Sequence, residues 1–125
     1  MEFVEGTMEP QLETQMTAWD FFVLRHRRTG NLVFHFVSAL LFFGSPIAAL
    51  LLWNPWFLVG FSVSGVVGTS GHYLFRDGGV SLRESSAAPE VPYFVVVMFY
   101  KLARGSYRVD VAAAETKAAA ILARA

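Results

Sequence analysis

Residues 32–53 read LVFHFVSALLFFGSPIAALLLW, without one charged side chain. At 1.5 Å per residue such a helix is about 30 Å long, the thickness of a bilayer's hydrocarbon core. Asn31 is placed to cap its start. Pro46 removes a helical hydrogen bond and predicts a bend, with Ser45 placed to satisfy the freed carbonyl. WNPW (53–56) is a turn with interfacial tryptophans, after which FLVGFSVSGVVGTSGHYLF runs uncharged to Phe75. Two uncharged spans, about 32–53 and 56–75, joined by a short turn predict a transmembrane helical hairpin.

The flanks extend this to an all-α, multi-pass membrane helical bundle. Upstream, Thr17 and Asp20 have capping-box spacing, and Trp19, Phe22, Val23 and His26 follow at helical intervals. That helix, about nine residues, is too short to cross a bilayer and predicts an interfacial segment, its arginines 25, 27 and 28 among the headgroups. Residues 1–16 are acidic and broken by Gly6 and Pro10, which predicts a mobile tail rather than a signal peptide. Downstream, 76–90 is a polar loop, and 91–104 is a third apolar helix, short of a span unless its aromatics and a snorkelling Lys101 extend it. Residues 109–125 form an Ala-rich helix with Glu115, Lys117 and Arg124 on its solvated side. The domain division is therefore tail (1–16), membrane-embedded domain (17–108) and C-terminal helix (109–125).

Three arginines before the first span place the N-terminus and the 76–90 loop in the cytoplasm. Lys101, Arg104 and Arg108 favour the same side, so the third apolar helix is re-entrant or interfacial, or the C-terminal helix crosses as well. A chain 54% hydrophobic is too apolar for an ordinary soluble domain of 125 residues. Ten basic and ten acidic residues cancel, leaving no field for nucleic acid, and the absence of cysteine excludes disulfides and thiolate metal sites. The expected partner is a lipid bilayer, with self-association into a homo-oligomer left open.

The hairpin brings the three histidines together. His35 lies one turn inside the first span and His72 one turn before the end of the second; in antiparallel helices these positions share one membrane surface. His26, leading into that same end, completes the set. Gly60, Ser64, Gly68 and His72 recur at i+4, a stripe of small residues that lets helices approach closely and turns His72 toward a neighbour. A single membrane histidine is as often just a donor to a backbone carbonyl. Three at one depth point to a metal, since imidazole is the commonest nitrogen ligand and ionisable groups inside membranes are usually functional. Asn31, a turn before His35, can orient its ring. GTSG (68–71) has no preceding strand and is no nucleophile elbow, and RDGGVS (76–81) lacks a P-loop lysine.

These residues resemble a family of small membrane proteins that includes a fungal Fe(II)-dependent 2-hydroxy fatty acid dioxygenase of the endoplasmic reticulum. The resemblance spans about residues 17–108 and rests on WDFFVLRH (19–26), His35 nine residues on, GHYLF (71–75), and Met98 followed seven residues later by Gly105. Arg76 stands where family members usually carry Glu, and Val95 where an Asp is common. The resemblance implies a non-haem iron dioxygenase that shortens 2-hydroxy fatty acids by one carbon with O₂. Fe(II) would be held by His26, His35 and His72 with Asp77 as an extra ligand, and the fatty acyl substrate's carboxylate would pair with Arg25 or Arg83. It also implies an integral, multi-pass location, the endoplasmic reticulum in a eukaryote or the inner membrane in a bacterium. Two other functions fit the same residues: a non-catalytic packing, scaffold or lipid-binding module of this fold, and haem ligation by a histidine pair.

Overall fold

The structure, a computed structural model, describes residues 12, 15–77 and 90–124. Every element among them is helical. Helix α1 (Ala18–Leu24) starts at an extended Thr17, whose hydroxyl accepts the Asp20 N–H at 3.1 Å while the Asp20 carboxylate accepts the Thr17 N–H at 2.9 Å. This capping box satisfies two backbone donors at once. The chain turns through residues 25–28 into α2 (Thr29–Leu51), which alone among the described helices is long and apolar enough to cross a membrane. Asn31 does not cap it. The helix begins two residues earlier, with Arg28 extended at the cap position, and the donor there is met from across the fold: the Arg28 N–H bonds the Asp77 carboxylate at 2.6 Å.

One turn of α2, Leu40–Gly44, is π-helical, just before the proline whose missing N–H interrupts the helical ladder. Ser45 is buried against the next helix, beside Gly60. Beyond Leu51 the tip bonds to itself. The N–H groups of Leu52 and Asn54 reach back to the carbonyls of Ala48 and Ala49, and Asn54 Oδ1 accepts the Trp56 N–H at 3.1 Å, capping a short 3-10 turn (Pro55–Phe57). Trp53 and Trp56 stand almost fully exposed.

Helix α3 (Leu58–Phe75) runs back along α2, and its small residues set the register. Gly60 lies on Ser45 and Leu41, Gly68 on Ser38, and Gly71 on Asn31 and Phe34. The Ser38 hydroxyl donates to the Ser64 carbonyl at 2.7 Å. The stripe of small residues therefore faces α2, as close backbone packing requires. Arg76 ends α3 in the left-handed conformation (φ 49°, ψ 46°), so that the Asp77 N–H turns back to the His72 carbonyl.

Helices α4 (Glu90–Ala103) and α5 (Tyr107–Leu122) meet at Gly105, whose φ of +74° lets the chain reverse. The 14 described residues of α4 make about 21 Å of helix, short of a span by themselves. Helix α5 begins at Tyr107 rather than 109 and is not peripheral. Val111, Ala114, Ala118 and Ile121 are buried in one core with Phe22, Val23 and Met98. Leu12 and Met16, both within the segment expected to be a tail, are buried there too. The apolar face of α1, expected to lie on lipid, is thus covered by protein. Lys117 pairs with Asp20 at 2.8 Å and Lys101 with Asp110 at 2.5 Å, so neither lysine extends freely into solvent or headgroups.

Candidate metal centre

The antiparallel register places His35, on the second turn of α2, opposite His72, on the last turn of α3. His26 comes from the non-helical link between α1 and α2. All three side chains are buried, and one ring nitrogen from each lies within 4.8 Å of the others, close enough to hold a metal ion. The rings meet edge to face with centroids 4.4, 4.7 and 5.0 Å apart, a space for one ion rather than a macrocycle.

The hydrogen bonds decide which nitrogen faces inward. His26 Nδ1 lies 2.6 Å from the Phe22 carbonyl, His35 Nδ1 3.0 Å from the Asn31 carbonyl, and His72 Nδ1 3.0 Å from the Asp77 carbonyl. A carbonyl oxygen only accepts, so the Nδ1 of His26 and His35 carries the proton and donates it; His72 Nδ1, which also lies 3.4 Å from the Asn31 amide nitrogen, does so across its shorter contact with the Asp77 carbonyl. Each ring meets the modest expectation for a membrane histidine, a bond to a peptide oxygen, yet spends only one nitrogen on it. The Nε2 of each neutral ring is left as a bare lone pair, and those of His26 and His35 approach to 3.0 Å. Two lone pairs at that distance repel unless a cation lies between them. A proton is disfavoured, because burial first, and then the neighbouring His35 ring, hold His26 well below the usual histidine range. Three neutral nitrogens with their other N–H groups fixed on carbonyls are the donor set of a divalent transition metal.

Asp77 stands next to this cluster without joining it. Its carboxylate accepts from Arg28 N at 2.6 Å and Asn31 Nδ2 at 3.2 Å, with Arg27 Nε 3.9 Å away. A negative charge at the N-terminus of α2 also suits the helix dipole. Among the described residues the group of converging donor atoms is the three imidazoles alone. Asp77 touches the centre through the carbonyl that orients His72, while its buried Oδ1 makes no hydrogen bond. Asn31 likewise orients His35 through its carbonyl, while its buried amide donates to Asp77 and to the Arg25 carbonyl at 3.1 Å. Arg25, half-buried at the end of α1, is close enough that its charge also depresses the His26 pKa. Arg83 lies outside the described residues.

Two groups that bond the His26 link carry no sequence signal of it. Tyr107, fully buried, donates its hydroxyl hydrogen to the His26 carbonyl at 2.8 Å. Arg108 donates to the Arg27 carbonyl at 2.6 Å. Both pair with main-chain oxygens, which every residue offers, and both come from 81 positions away. No protein-family model, curated protein or solved structure matches the chain.

Proposed function

We propose that this chain is a membrane-embedded non-haem iron protein that oxidises 2-hydroxy fatty acids with O₂, shortening them by one carbon. The observation that carries the metal part is the three-way convergence of Nε2 lone pairs, each ring locked by Nδ1 on a carbonyl. Iron is favoured over other imidazole-binding metals by the resemblance of WDFFVLRH, His35 and GHYLF to the Fe(II) family. His26, His35 and His72 would hold Fe(II), which would supply the redox chemistry by which O₂ oxidises a substrate chelated through its 2-hydroxyl and carboxylate.

The protein's own groups do the rest. The carbonyls of Phe22, Asn31 and Asp77 keep the imidazoles in the binding tautomer. Arg25, beside His26, pairs with the substrate carboxylate. The acyl chain lies along the exposed apolar flank of α2, where Val33, Phe36, Val37 and Leu40 face outward. In this reading α2 and α3 cross the bilayer as a hairpin with the metal centre near its charged, cytoplasmic end. The uncharged tip reaches the far surface.

A non-catalytic module of the same fold is the second reading. One observation favours it: Asp77 Oδ2 is taken up by the Arg28 N–H, and its carboxylate does not join the converging imidazole nitrogens, a set that lacks the acidic ligand usual in non-haem iron oxygenases. Feeding a 2-hydroxy fatty acid of even chain length to membranes holding the protein separates the two. The enzyme yields the odd-chain acid only with His35 and His72 intact and iron present. Stoichiometric iron without product supports the module, and folded protein that takes up no metal rejects both iron and chemistry.

A further inference from the structure

Of the three imidazoles, two sit on helices locked in register by the small-residue stripe, and the third does not. His26 lies in the four-residue link 25–28, outside regular helix. Local bonds hold only part of it: the His26 N–H reaches the Val23 carbonyl at 3.2 Å, and Nδ1 the Phe22 carbonyl. The ring also stacks on Phe22 with centroids 4.0 Å apart, and the ends of the link are tied by Asn31 at the Arg25 carbonyl and by Asp77 at the Arg28 N–H. The carbonyls in between are held from the first turn of α5. Tyr107 bonds the His26 carbonyl at 2.8 Å, and Arg108 bonds the next carbonyl along, that of Arg27. The Tyr107 ring is fully buried and meets Trp19 edge to face, with centroids 6.3 Å apart. Its position is fixed in turn by Gly105, whose left-handed conformation starts α5 at this point.

We infer that Tyr107 is a positioning residue for His26, so that filling the metal centre and docking α5 against α1 form one linked equilibrium. This rests on the metal reading above and adds to it a part for the C-terminal helix. The reasoning is geometric. A ring on an irregular link has more freedom than one within a helix, and a third ligand that must first be ordered binds more weakly than one already in place. The hydroxyl of Tyr107 removes that freedom by fixing the peptide unit that carries the ring. Linkage then requires the converse: a metal that holds His26 must favour the docked state of α5 by the same free energy.

The test is a double-mutant cycle on the full chain in detergent micelles, with cobalt(II) as a spectroscopic probe for the imidazole site. Tyr107→Phe keeps the buried ring and removes only the oxygen. It is expected to weaken cobalt binding about tenfold, the low end of what is lost with a group that orients a ligand. The visible cobalt spectrum should move toward that of His26→Ala. In the His26→Ala background the same substitution should change affinity less than about twofold, because the ligand it acts through is gone. Equal losses in both backgrounds, or wild-type affinity and spectrum in Tyr107→Phe, overturn the inference while leaving the metal centre standing. Wild-type protein that binds no cobalt overturns the metal reading itself, and this inference with it.

Discussion

Gly71 is where the hairpin is tightest, and replacing it with alanine tests whether the close approach of α2 and α3 builds the metal centre. A Cβ there would overlap Asn31 Oδ1, lie 2.8 Å from Phe34 Cβ and 3.4 Å from the Asn31 Cα. The Asn31 side chain cannot simply swing away, since its amide is buried and bonded to Asp77 and the Arg25 carbonyl. Overpacking of this kind costs about 1–3 kcal/mol. Against it stands the gain of about 1 kcal/mol from replacing glycine within a helix. Gly65→Ala on the same helix calibrates that gain, because nothing lies within 4 Å of a Cβ at that position. The difference between the two variants is therefore the packing cost alone, about 1–3 kcal/mol. Gly68→Ala should fall between them, with Ser38 Oγ at 3.0 Å and His35 Nε2 at 3.8 Å. Unfolding in mixed detergent micelles, with cobalt titration beside it, reads both stability and site geometry. Because Gly71 adjoins His72 and presses on Asn31, Gly71→Ala should also weaken metal binding, and Gly65→Ala should not. Equal stability and equal affinity in the two variants would refute the packing account of the site.

Other expectations follow from the same contacts. His26 is held neutral in the fold, whereas in the unfolded chain it gains a proton below about pH 6.5. The unfolded state then binds more protons, so the metal-free protein keeps its full stability above that pH. Below it, this one ring removes up to about 1.4 kcal/mol per unit, a slope read as the difference between wild type and His26→Ala in chemical denaturation at stepped pH. Asp77→Ala should cost about 1–2 kcal/mol in the same assay by uncapping α2, yet retain stoichiometric cobalt, since the carbonyl that orients His72 is main chain; loss of cobalt would restore Asp77 as a ligand. In bilayers containing brominated lipid, Trp53 and Trp56 should be quenched. Trp19, enclosed by Phe22, Phe94 and Tyr107, should not be, so Trp19→Phe leaves the quenched fraction of the remaining signal near complete.

The parts of this molecule legible in its sequence are those written in local patterns. An uncharged run long enough to span, a capping box four residues wide, and small residues at every fourth position each fix a structure from neighbours a few residues apart. Antiparallel packing then brings His35 and His72 to one level without further information. What escaped notice involves partners distant in the chain. Asn31 has the residue type of a cap, but Asp77, 49 positions beyond Arg28, bonds the Arg28 N–H and leaves Asn31 inside the helix. The apolar face of α1 has the same periodicity whether lipid or protein covers it. Its partner, α5, is rich in alanine, so the two small buried residues Ala114 and Ala118 that allow close approach give little amphipathic signal. Tyr107 reads as one more aromatic near a membrane, and only the fold reveals the peptide oxygen that it holds.

If α2 and α3 form the proposed membrane hairpin, the self-bonded tip has a consequence for how it would insert. Each exposed amide dragged into hydrocarbon costs several kcal/mol. Here Asn54 serves as an internal solvent: its side chain and carbonyl take up the N–H groups of Trp56 and Phe57, and its own N–H is returned to Ala49. A hairpin folded in this way carries almost no hydration through the oily interior when it inserts tip first, and the two tryptophans then act as brakes, halting passage where headgroups begin on the opposite leaflet.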